Sequence, residues 1–218
     1  MFRSDMKVEL LDSMGTEQSI VRAARTSTLG TKAEPKEAQG LVKFLVREGH
    51  LVPLEHCVLT FRLEVPIFVS RQIVKHRTSS ISEESGRYRV LDSEFYLPLL
   101  ERPVKQVGKT GDYRFEQDSA LNLATRNVMR FTSEEADFSY RKLLEAGVAK
   151  EVARMVLPVN TYSTMVMTMN LRNWLQFLGL RSSYGKGHPQ YEIALVADQI
   201  AEIIKEKFPT VFGAWFNA

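Results

Sequence analysis

Two segments of the chain alternate apolar and polar residues, which is the pattern of a β-strand with one buried face. They are residues 54–65 and 161–169, and residues 7–11 show a shorter version of the same pattern. Cys57 lies on the apolar face of the first segment, so we predict that it is a core residue and not a nucleophile. We interpret the methionines on one face of the second segment, at positions 165, 167 and 169, as core packing.

Apolar residues spaced three and four apart predict the helices. The predicted helices are residues 17–25, 34–48, 66–75, 119–146, 170–180 and 189–207, with a further one after Gly147. Pro35 and Pro66 suit first-turn positions. A break near Thr132, with Ser133 as a new N-cap, would divide the longest helix. Residues 25–30 and 91–118 are predicted to be irregular.

Half-buried strands of this kind usually pair antiparallel, and here they are interspersed with helices. We therefore expect an α+β fold, with an antiparallel or mixed sheet flanked by helices. The 218 residues, of which 44% are hydrophobic and 25% are charged, suit an ordinary globular protein. We expect a single domain that covers residues 1–218.

Composition argues against several classes of function. The net charge of +3 gives no support for bulk nucleic-acid binding, and no apolar run reaches the ~18 residues of a membrane helix. We expect neither nucleic acid nor a membrane as a partner. A single cysteine excludes an internal disulfide, and the four histidines are too scattered to suggest a metal site. We expect a cytosolic protein without a signal peptide.

Residues 72–88 combine cationic side chains, hydroxyls and a glycine. Gln72, Lys75 and His76 are spaced to share one face of the predicted helix. This composition is typical of a solvated surface loop, or of a phosphorylation loop, and it also suits a site for a phosphate or a planar heterocycle. Cations at the ends of other predicted elements favour a nucleotide site. An RNA-binding α+β domain is a weaker alternative.

The stretch Lys75-His76-Arg77, followed after seven residues by Ser85, resembles the Arg-His-Arg signature of flavin-dependent thymidylate synthases. The resemblance covers most of the chain, through blocks at residues 24–27, 49–56, 66–72, 153–158, 170–172, 180–181 and 188–192. Two positions depart from the family pattern. Lys75 stands where the family has Arg, which loses the bidentate fork, and Ser82 stands where it usually has Asn.

The resemblance implies that the protein methylates dUMP to dTMP, with methylene-tetrahydrofolate as the carbon donor. FAD would carry hydride from NADPH, and no enzyme cysteine would attack the pyrimidine. It also implies a homotetramer with the active site between subunits. A non-catalytic nucleotide-binding or flavin-binding module on the same fold is the alternative that the departures at Lys75 and Ser82 suggest.

The resemblance also assigns residues. The expected cofactor-binding residues are Ser27, His50, Glu55, Lys75, His76, Arg77, Glu83, Asn170, Arg172 and Gln176, with His50 positioning either flavin or folate. The expected dUMP-binding residues are Gln72, Lys75, Glu83, Glu84, Ser85, Gly86, Arg87, Arg154 and Arg181. Ser85, Gly86 and Arg87 suit the phosphate. Arg181 is the expected catalytic residue, because a guanidinium beside the uracil would stabilise developing negative charge.

Overall fold

The computed structural model describes residues 1–32, 38–109 and 111–217, with only the backbone of Thr31. Within these ranges the chain forms eight strands and eight α-helices. The strands are β1 Phe2–Arg3, β2 Lys7–Met14, β3 Val58–Pro66, β4 Ser80–Glu83, β5 Phe95–Tyr96, β6 Lys105–Lys109, β7 Asp112–Glu116 and β8 Tyr162–Asn170. The α-helices are α1 Glu17–Leu29, α2 Gln39–Arg47, α3 Ile67–Ile73, α4 Ser119–Glu145, α5 Lys150–Ala153, α6 Leu171–Arg181, α7 Tyr191–Lys207 and α8 Pro209–Phe216. Short 3₁₀ helices cover Gly30–Lys32, Val52–His56 and Arg154–Val156.

Backbone contacts divide the chain into two compact units. The first unit comprises Met1–Asp5, Pro66–Phe68 and Glu84–Ser163, and the second comprises Met6–Val65, Val69–Glu83 and Thr164–Ala218. The α+β class is confirmed. The single domain over residues 1–218, the homotetramer and the cytosolic location stay predictions. No helix in the described ranges has both the length and the apolar character to cross a membrane.

The second unit is built on a four-stranded sheet in the order β2-β3-β8-β4. Strands β2 and β3 pair antiparallel, and so do β4 and β8. The apolar faces predicted from the alternation are buried, including Leu59, Phe61 and the three methionines of β8. Helix α6 packs on this face, where the indole Nε1 of Trp174 donates to the carbonyl oxygen of Leu59 at 3.1 Å. The prediction of two half-buried strands is therefore confirmed.

Helix α1 begins at the Thr16 N-cap, as predicted, but it does not end at Arg25. It continues to Leu29, so the predicted irregular segment at residues 25–30 is wrong. The hydroxyls of Thr26, Ser27 and Thr28 donate to carbonyl oxygens three or four residues earlier. These bonds satisfy the hydroxyls within the helix, so that three residues with low helix propensity extend it.

The predicted helix at residues 34–48 is observed as α2, and the proposed first turn with Glu34 and Pro35 lies outside the described residues. The spacing of Leu41, Phe44 and Leu45 predicts that these three residues form its apolar face, and the observed buried face differs. Val42 and Leu45 are buried, whereas Phe44 is 42% exposed. Helix α8 follows α7 directly and was not predicted. Its Pro209 stands in the first turn and its Phe212 is buried.

The chain from residue 52 to the end of β4 departs from prediction at four points. Residues 52–56 form a 3₁₀ turn, so β3 begins at Val58, and Pro66 ends the strand instead of opening a helix. Helix α3 ends at Ile73. The backbone N–H of Lys75 and of His76 each bond three residues back, so the shared helical face predicted for them with Gln72 is wrong. Part of the predicted hydroxyl loop is strand β4.

The first unit contains the parallel pair β1–β5, the antiparallel hairpin β6–β7 and the 27-residue helix α4. The hairpin and β5 lie in the segment 91–118, which was wrongly predicted to be irregular throughout. The predicted break in α4 is also wrong. Ser133 is buried inside the helix, where its hydroxyl donates to Met129 O and accepts from the Asn160 amide. Its polar group is therefore satisfied without a helix terminus.

Gly15 has a left-handed backbone conformation and lies against Cys57, so its replacement tests how tightly Cys57 is packed. Gly15 has φ +88°, and a β-carbon there would lie 2.7 Å from Cys57 Sγ. Gly147 has φ +83°, and a β-carbon there would have no other atom within 4 Å. We expect Gly147→Ala to lower the free energy of unfolding by about 1 kcal/mol and Gly15→Ala by about 3 kcal/mol, because only the second adds a clash. Urea denaturation measures both, and equal losses would contradict this account.

Candidate functional site

The predicted site residues fall into two groups, one in each unit. Those in the second unit are Ser27, His50, Glu55, Gln72, Lys75, His76, Arg77, Glu83, Asn170, Arg172, Gln176 and Arg181. Those in the first unit are Glu84, Ser85, Gly86, Arg87 and Arg154. The second unit contains all ten predicted cofactor-binding residues, and the first unit contains the predicted phosphate residues. Each group has its own geometry.

Glu55 and Arg172 form an ion pair in the second unit. Arg172 lies in the first turn of α6, whose N-cap Asn170 accepts from the backbone N–H of Asn173 at 3.0 Å. One Nη1–H of Arg172 donates to Glu55 Oε1 at 2.6 Å. The Nε of Arg172 is buried and makes no hydrogen bond within the described chain. A buried donor without an acceptor costs about 1–3 kcal/mol, so this atom is suited to an acceptor on a bound ligand.

His76 and Arg181, 105 positions apart in the chain, also lie together in the second unit. The Nε–H of Arg181, at the end of α6, donates to His76 Nε2 at 3.3 Å. The ring of His76 meets Phe177 edge-on, with 4.8 Å between centroids. Burial lowers the pKa of His76 from its ordinary 6.5, and the positive charge of Arg181 lowers it further. The imidazole is therefore neutral at pH 7, and its Nε2 accepts the hydrogen bond from the guanidinium.

The pair leaves most of the guanidinium available. One of its five N–H donors is used, and across the described chain the other four have no hydrogen-bond partner. Arg181 is thus oriented by a neutral partner, and its full positive charge is not neutralised by a carboxylate. This arrangement can stabilise negative charge on a bound molecule.

The remaining predicted residues of the second unit are less closely grouped. Gln72 Nε2 donates to Gln190 Oε1 at 2.6 Å, and Gln190 in turn donates to the buried carboxylate of Glu192. The side-chain groups of Lys75, Arg77 and Gln176 are exposed, with no hydrogen bond or ion pair to any described residue. Exposed residues of this group also include Ser27, His50 and Glu83. No hydrogen bond within the described residues joins Lys75, Arg77 or Gln176 to the two arginine pairs.

Gly86 and Arg154 are in close contact in the first unit. A β-carbon at Gly86 would lie 3.0 Å from Cδ of Arg154 and 2.9 Å from Cδ1 of Leu91, so a larger residue there would displace these two side chains. The Nε–H of Arg87 donates to Glu151 Oε2 at 3.1 Å, and both side chains are about half exposed. Ser85 Oγ accepts from the backbone N–H of Arg87 at 3.3 Å.

A surface cleft of about 570 Å³ adjoins Arg87 and includes two residues that the sequence did not suggest. Lys150 and Glu151 line it, and Lys150 Nζ donates to Tyr88 O at 3.1 Å. Lys150 and Glu151 precede Arg154 by four and three residues, and this helical spacing is the one sequence signal that could have indicated them. The carboxylate of Glu151 thus pairs with the guanidinium of Arg87, where a phosphate oxygen would otherwise be expected to bind.

Neither a reactive thiol nor a metal cluster is present in the part of the chain that the structure describes. Burial raises the pKa of Cys57 to about 11, with a further contribution from Glu17. Its Sγ lies 3.6 Å from Thr16 O. No three His, Cys, Asp or Glu side chains there are grouped to hold a metal ion.

The titration of His76 tests its contact with Arg181. We expect its pKa to be below 6.5 in the folded protein and to rise in Arg181→Gln, because that change removes one of the two causes of the depression. Arg62→Gln, which removes a charge paired with Glu9, should leave it unchanged. NMR of the imidazole nitrogens measures the midpoint. A midpoint that does not move in Arg181→Gln would contradict the contact.

The same pKa shift has a consequence for stability. The unfolded chain binds a proton at His76 first as the pH falls below about 6.5. The stability contributed by neutral His76 is therefore present above that pH and is lost as the pH falls towards the folded pKa.

Comparisons with known proteins show the family of the chain. The family model described as "Thymidylate synthase complementing protein" matches residues 9–210. The chain is 41% identical over 224 residues to the flavin-dependent thymidylate synthase of Tropheryma whipplei strain TW08/27, covering 98% of this chain and 93% of the relative. It is 42% identical over 211 residues to the enzyme of that name from Thermotoga neapolitana, covering 96% and 90%.

A solved structure is similar over nearly the whole fold. The UMP/dUMP methylase PolB from Streptomyces cacaoi, bound with 5-Br dUMP, superposes with a TM-score of 0.91 at 39% identity. The match covers 98% of this chain and 96% of that one. The same enzyme bound with 5-Br UMP gives a TM-score of 0.89. The chain therefore belongs to the thymidylate synthase complementing protein family, that of the flavin-dependent thymidylate synthases.

Proposed function

We propose that this protein methylates dUMP to dTMP, taking carbon from methylene-tetrahydrofolate and hydride from NADPH through FAD. The observation that carries the proposal is the contact between His76, in the family signature, and Arg181, far along the chain. A neutral imidazole holds a guanidinium that keeps its charge. Such a group is suited to a substrate whose ring becomes negative during the reaction.

Uridine nucleotides are the substrate class that the relatives support. PolB was solved with brominated dUMP and UMP. In this chain the phosphate of dUMP would be held by Ser85, Gly86, Arg87 and Arg154, with Lys150 as an additional cation. Hydroxyl, backbone N–H and guanidinium donors of this kind are the usual phosphate ligands. Glu84, in the same unit, completes this proposed phosphate site, and the nucleotide-binding roles of Gln72 and Glu83, in the second unit, stay predictions.

Residues of the second unit fit a flavin. The buried Nε of Arg172, which has no acceptor, supports this assignment, because a flavin ring and its phosphates are rich in acceptor oxygens and nitrogens. Ser27, Glu55, His76, Arg77, Asn170 and Gln176 would bind it with Arg172, and Lys75 would supply charge without a fork. When bound, FAD supplies hydride transfer. The protein binds and orients the reactants and stabilises charge.

Arg181 is the proposed catalytic residue, and Cys57 is excluded from that role by its buried thiol. We also propose a homotetramer. Three apolar side chains on α4, those of Val128, Phe131 and Phe138, are 66%, 66% and 60% exposed. They are spaced three and seven apart, so they share one face of the helix, and an apolar stripe of this kind favours contact with a second copy.

Loss of turnover without loss of flavin tests the role of Arg181. We expect Arg181→Ala to reduce tritium release from [5-³H]dUMP at least about a hundredfold, as removal of one charge-stabilising donor typically does. The yellow colour should persist, because the residue acts on the pyrimidine. Arg62→Ala is the matched control on the sheet. Parent-like turnover in Arg181→Ala would contradict the assignment, and dUMP binding without dTMP formation by the parent would favour a non-catalytic module.

Competition between Glu151 and phosphate gives a second test. Glu151→Gln should lower the Kd for dUMP about threefold, because it removes the carboxylate that pairs with Arg87 and the exposed pair is weak. Isothermal titration measures this, and deoxyuridine, which lacks the phosphate, serves as the control ligand. Equal effects on dUMP and deoxyuridine would show that Glu151 does not compete with the phosphate.

A further inference from the structure

Helices α2 and α8 pack against each other in the second unit and leave an open cleft of about 610 Å³. Its polar lining comes from Gln39, Lys43 and Arg47 on α2 and from Thr210 and Asn217 on and beside α8. The volume lies within the usual range of ligand pockets. None of the residues assigned above to flavin or dUMP lines this cleft, so it is a separate feature of the fold.

The lining side chains supply donors and no carboxylate. Lys43 and Arg47 stand one turn apart on α2, about 6 Å along the helix axis, and present two positive charges in a row. No acidic group among the described residues pairs with Lys43. Arg47 pairs with its neighbour Glu48 at 2.8 Å, but both side chains are largely exposed, so this pair can open for a competing anion.

Gly213 leaves space in the cleft because it has no side chain. The backbone N–H groups at the start of α8 are already used and are not available to an anion. A β-carbon at Gly213 would meet only the amide of Asn217, at 3.8 Å. The N–H groups of Thr210 and Val211 at the start of α8 already donate to Glu17 Oε1, at 2.6 and 3.1 Å. An anion in the cleft would therefore be held by the side chains of α2.

Phe44 connects the cleft with a predicted site residue. The guanidinium carbon of Arg47 lies 5.7 Å from the centre of the Phe44 ring, and this ring meets the imidazole of His50 edge-on, with 6.1 Å between centroids. The family resemblance assigns His50 to positioning flavin or folate. A co-substrate with its ring near His50 could extend a charged tail along α2, past Arg47 to Lys43.

We infer that the cleft between α2 and α8 binds the anionic end of a co-substrate, and that the poly-γ-glutamyl tail of methylene-tetrahydrofolate suits its row of cations. The inference rests on the proposed function, which supplies the folate. Carboxylates and phosphates would be recognised by the same donors, so the phosphates of NADPH are the other source of this chemistry.

The test compares tetrahydrofolates that carry one or five glutamyl residues. Isothermal titration to the flavin-loaded protein gives binding, and dTMP formation gives KM for the corresponding methylene forms. We expect the parent to prefer the five-glutamyl form about tenfold, or ~1.4 kcal/mol. The double variant Lys43→Gln/Arg47→Gln should lose this preference. Lys43→Arg should keep it, and so should Lys142→Gln, a control on the exposed surface of α4.

The other outcomes distinguish the folate tail from the phosphates of NADPH as the bound group. They also distinguish a failure of this inference from a failure of the proposed function. A double variant that raises KM for NADPH about tenfold more than for NADH, which lacks the 2′-phosphate, would assign the cleft to the nicotinamide cofactor. A parent that forms dTMP, with a double variant that keeps both preferences, would overturn the inference and leave the proposed function standing. A parent that forms no dTMP with any folate would contradict the proposed function, and the titration would still decide whether the cleft binds the tail.

Discussion

The packing of α6 on the central strands is the interaction on which the second unit depends. Its buried face is apolar along its whole length, and the indole of Trp174 is fixed both by the carbonyl of Leu59 and by edge contact with Phe61 at 4.9 Å between centroids. Burial of this much aromatic and aliphatic surface stabilises the unit by many kcal/mol. The same helix carries Arg172 in its first turn and Arg181 at its end, so its docking sets the backbone positions of the two arginines, about 14 Å apart along the helix axis.

Core packing and cationic chemistry are thus combined in one element. The face of α6 that meets the sheet determines where its two termini lie, and each terminus carries an arginine with a different partner. Arg172 has a carboxylate partner and an unsatisfied Nε, whereas Arg181 has an uncharged imidazole. The first arrangement suits the binding of acceptor groups. The second leaves the full charge of Arg181 in place, because a neutral partner does not neutralise it.

Much of the core could be predicted from the sequence, because the two longer alternating segments each have one fully buried face. The alternation in β3 and β8 and the spacing in α6 all correspond to burial in the structure. The hairpin β6–β7 could not be predicted in this way, since no residue in it is buried. The extension of α1 was missed for a different reason. Thr26 and Ser27 have low helix propensity, and only their bonds to the backbone reveal that the helix continues.

The candidate site was predictable as a set of residues but not as a set of contacts. The signature resemblance named Glu55, Arg172 and Arg181, and their partners lie more than a hundred positions away in the chain. No periodicity links such positions. Glu151 was missed because it acts on Arg87, 64 positions earlier, and a lone carboxylate on a short helix carries no signal of its own.

The crowding around Gly86 has a consequence for how this signature can diverge. A β-carbon at Gly86 would lie 2.9 Å from Cδ1 of Leu91 and 3.0 Å from Cδ of Arg154, so any other amino acid there requires these two side chains to move. Lys75 and Ser82, the two departures from the family pattern, have exposed side chains. A substitution within the signature therefore disturbs its surroundings least where a side chain ends in solvent, whereas at Gly86 it displaces the side chain of Arg154.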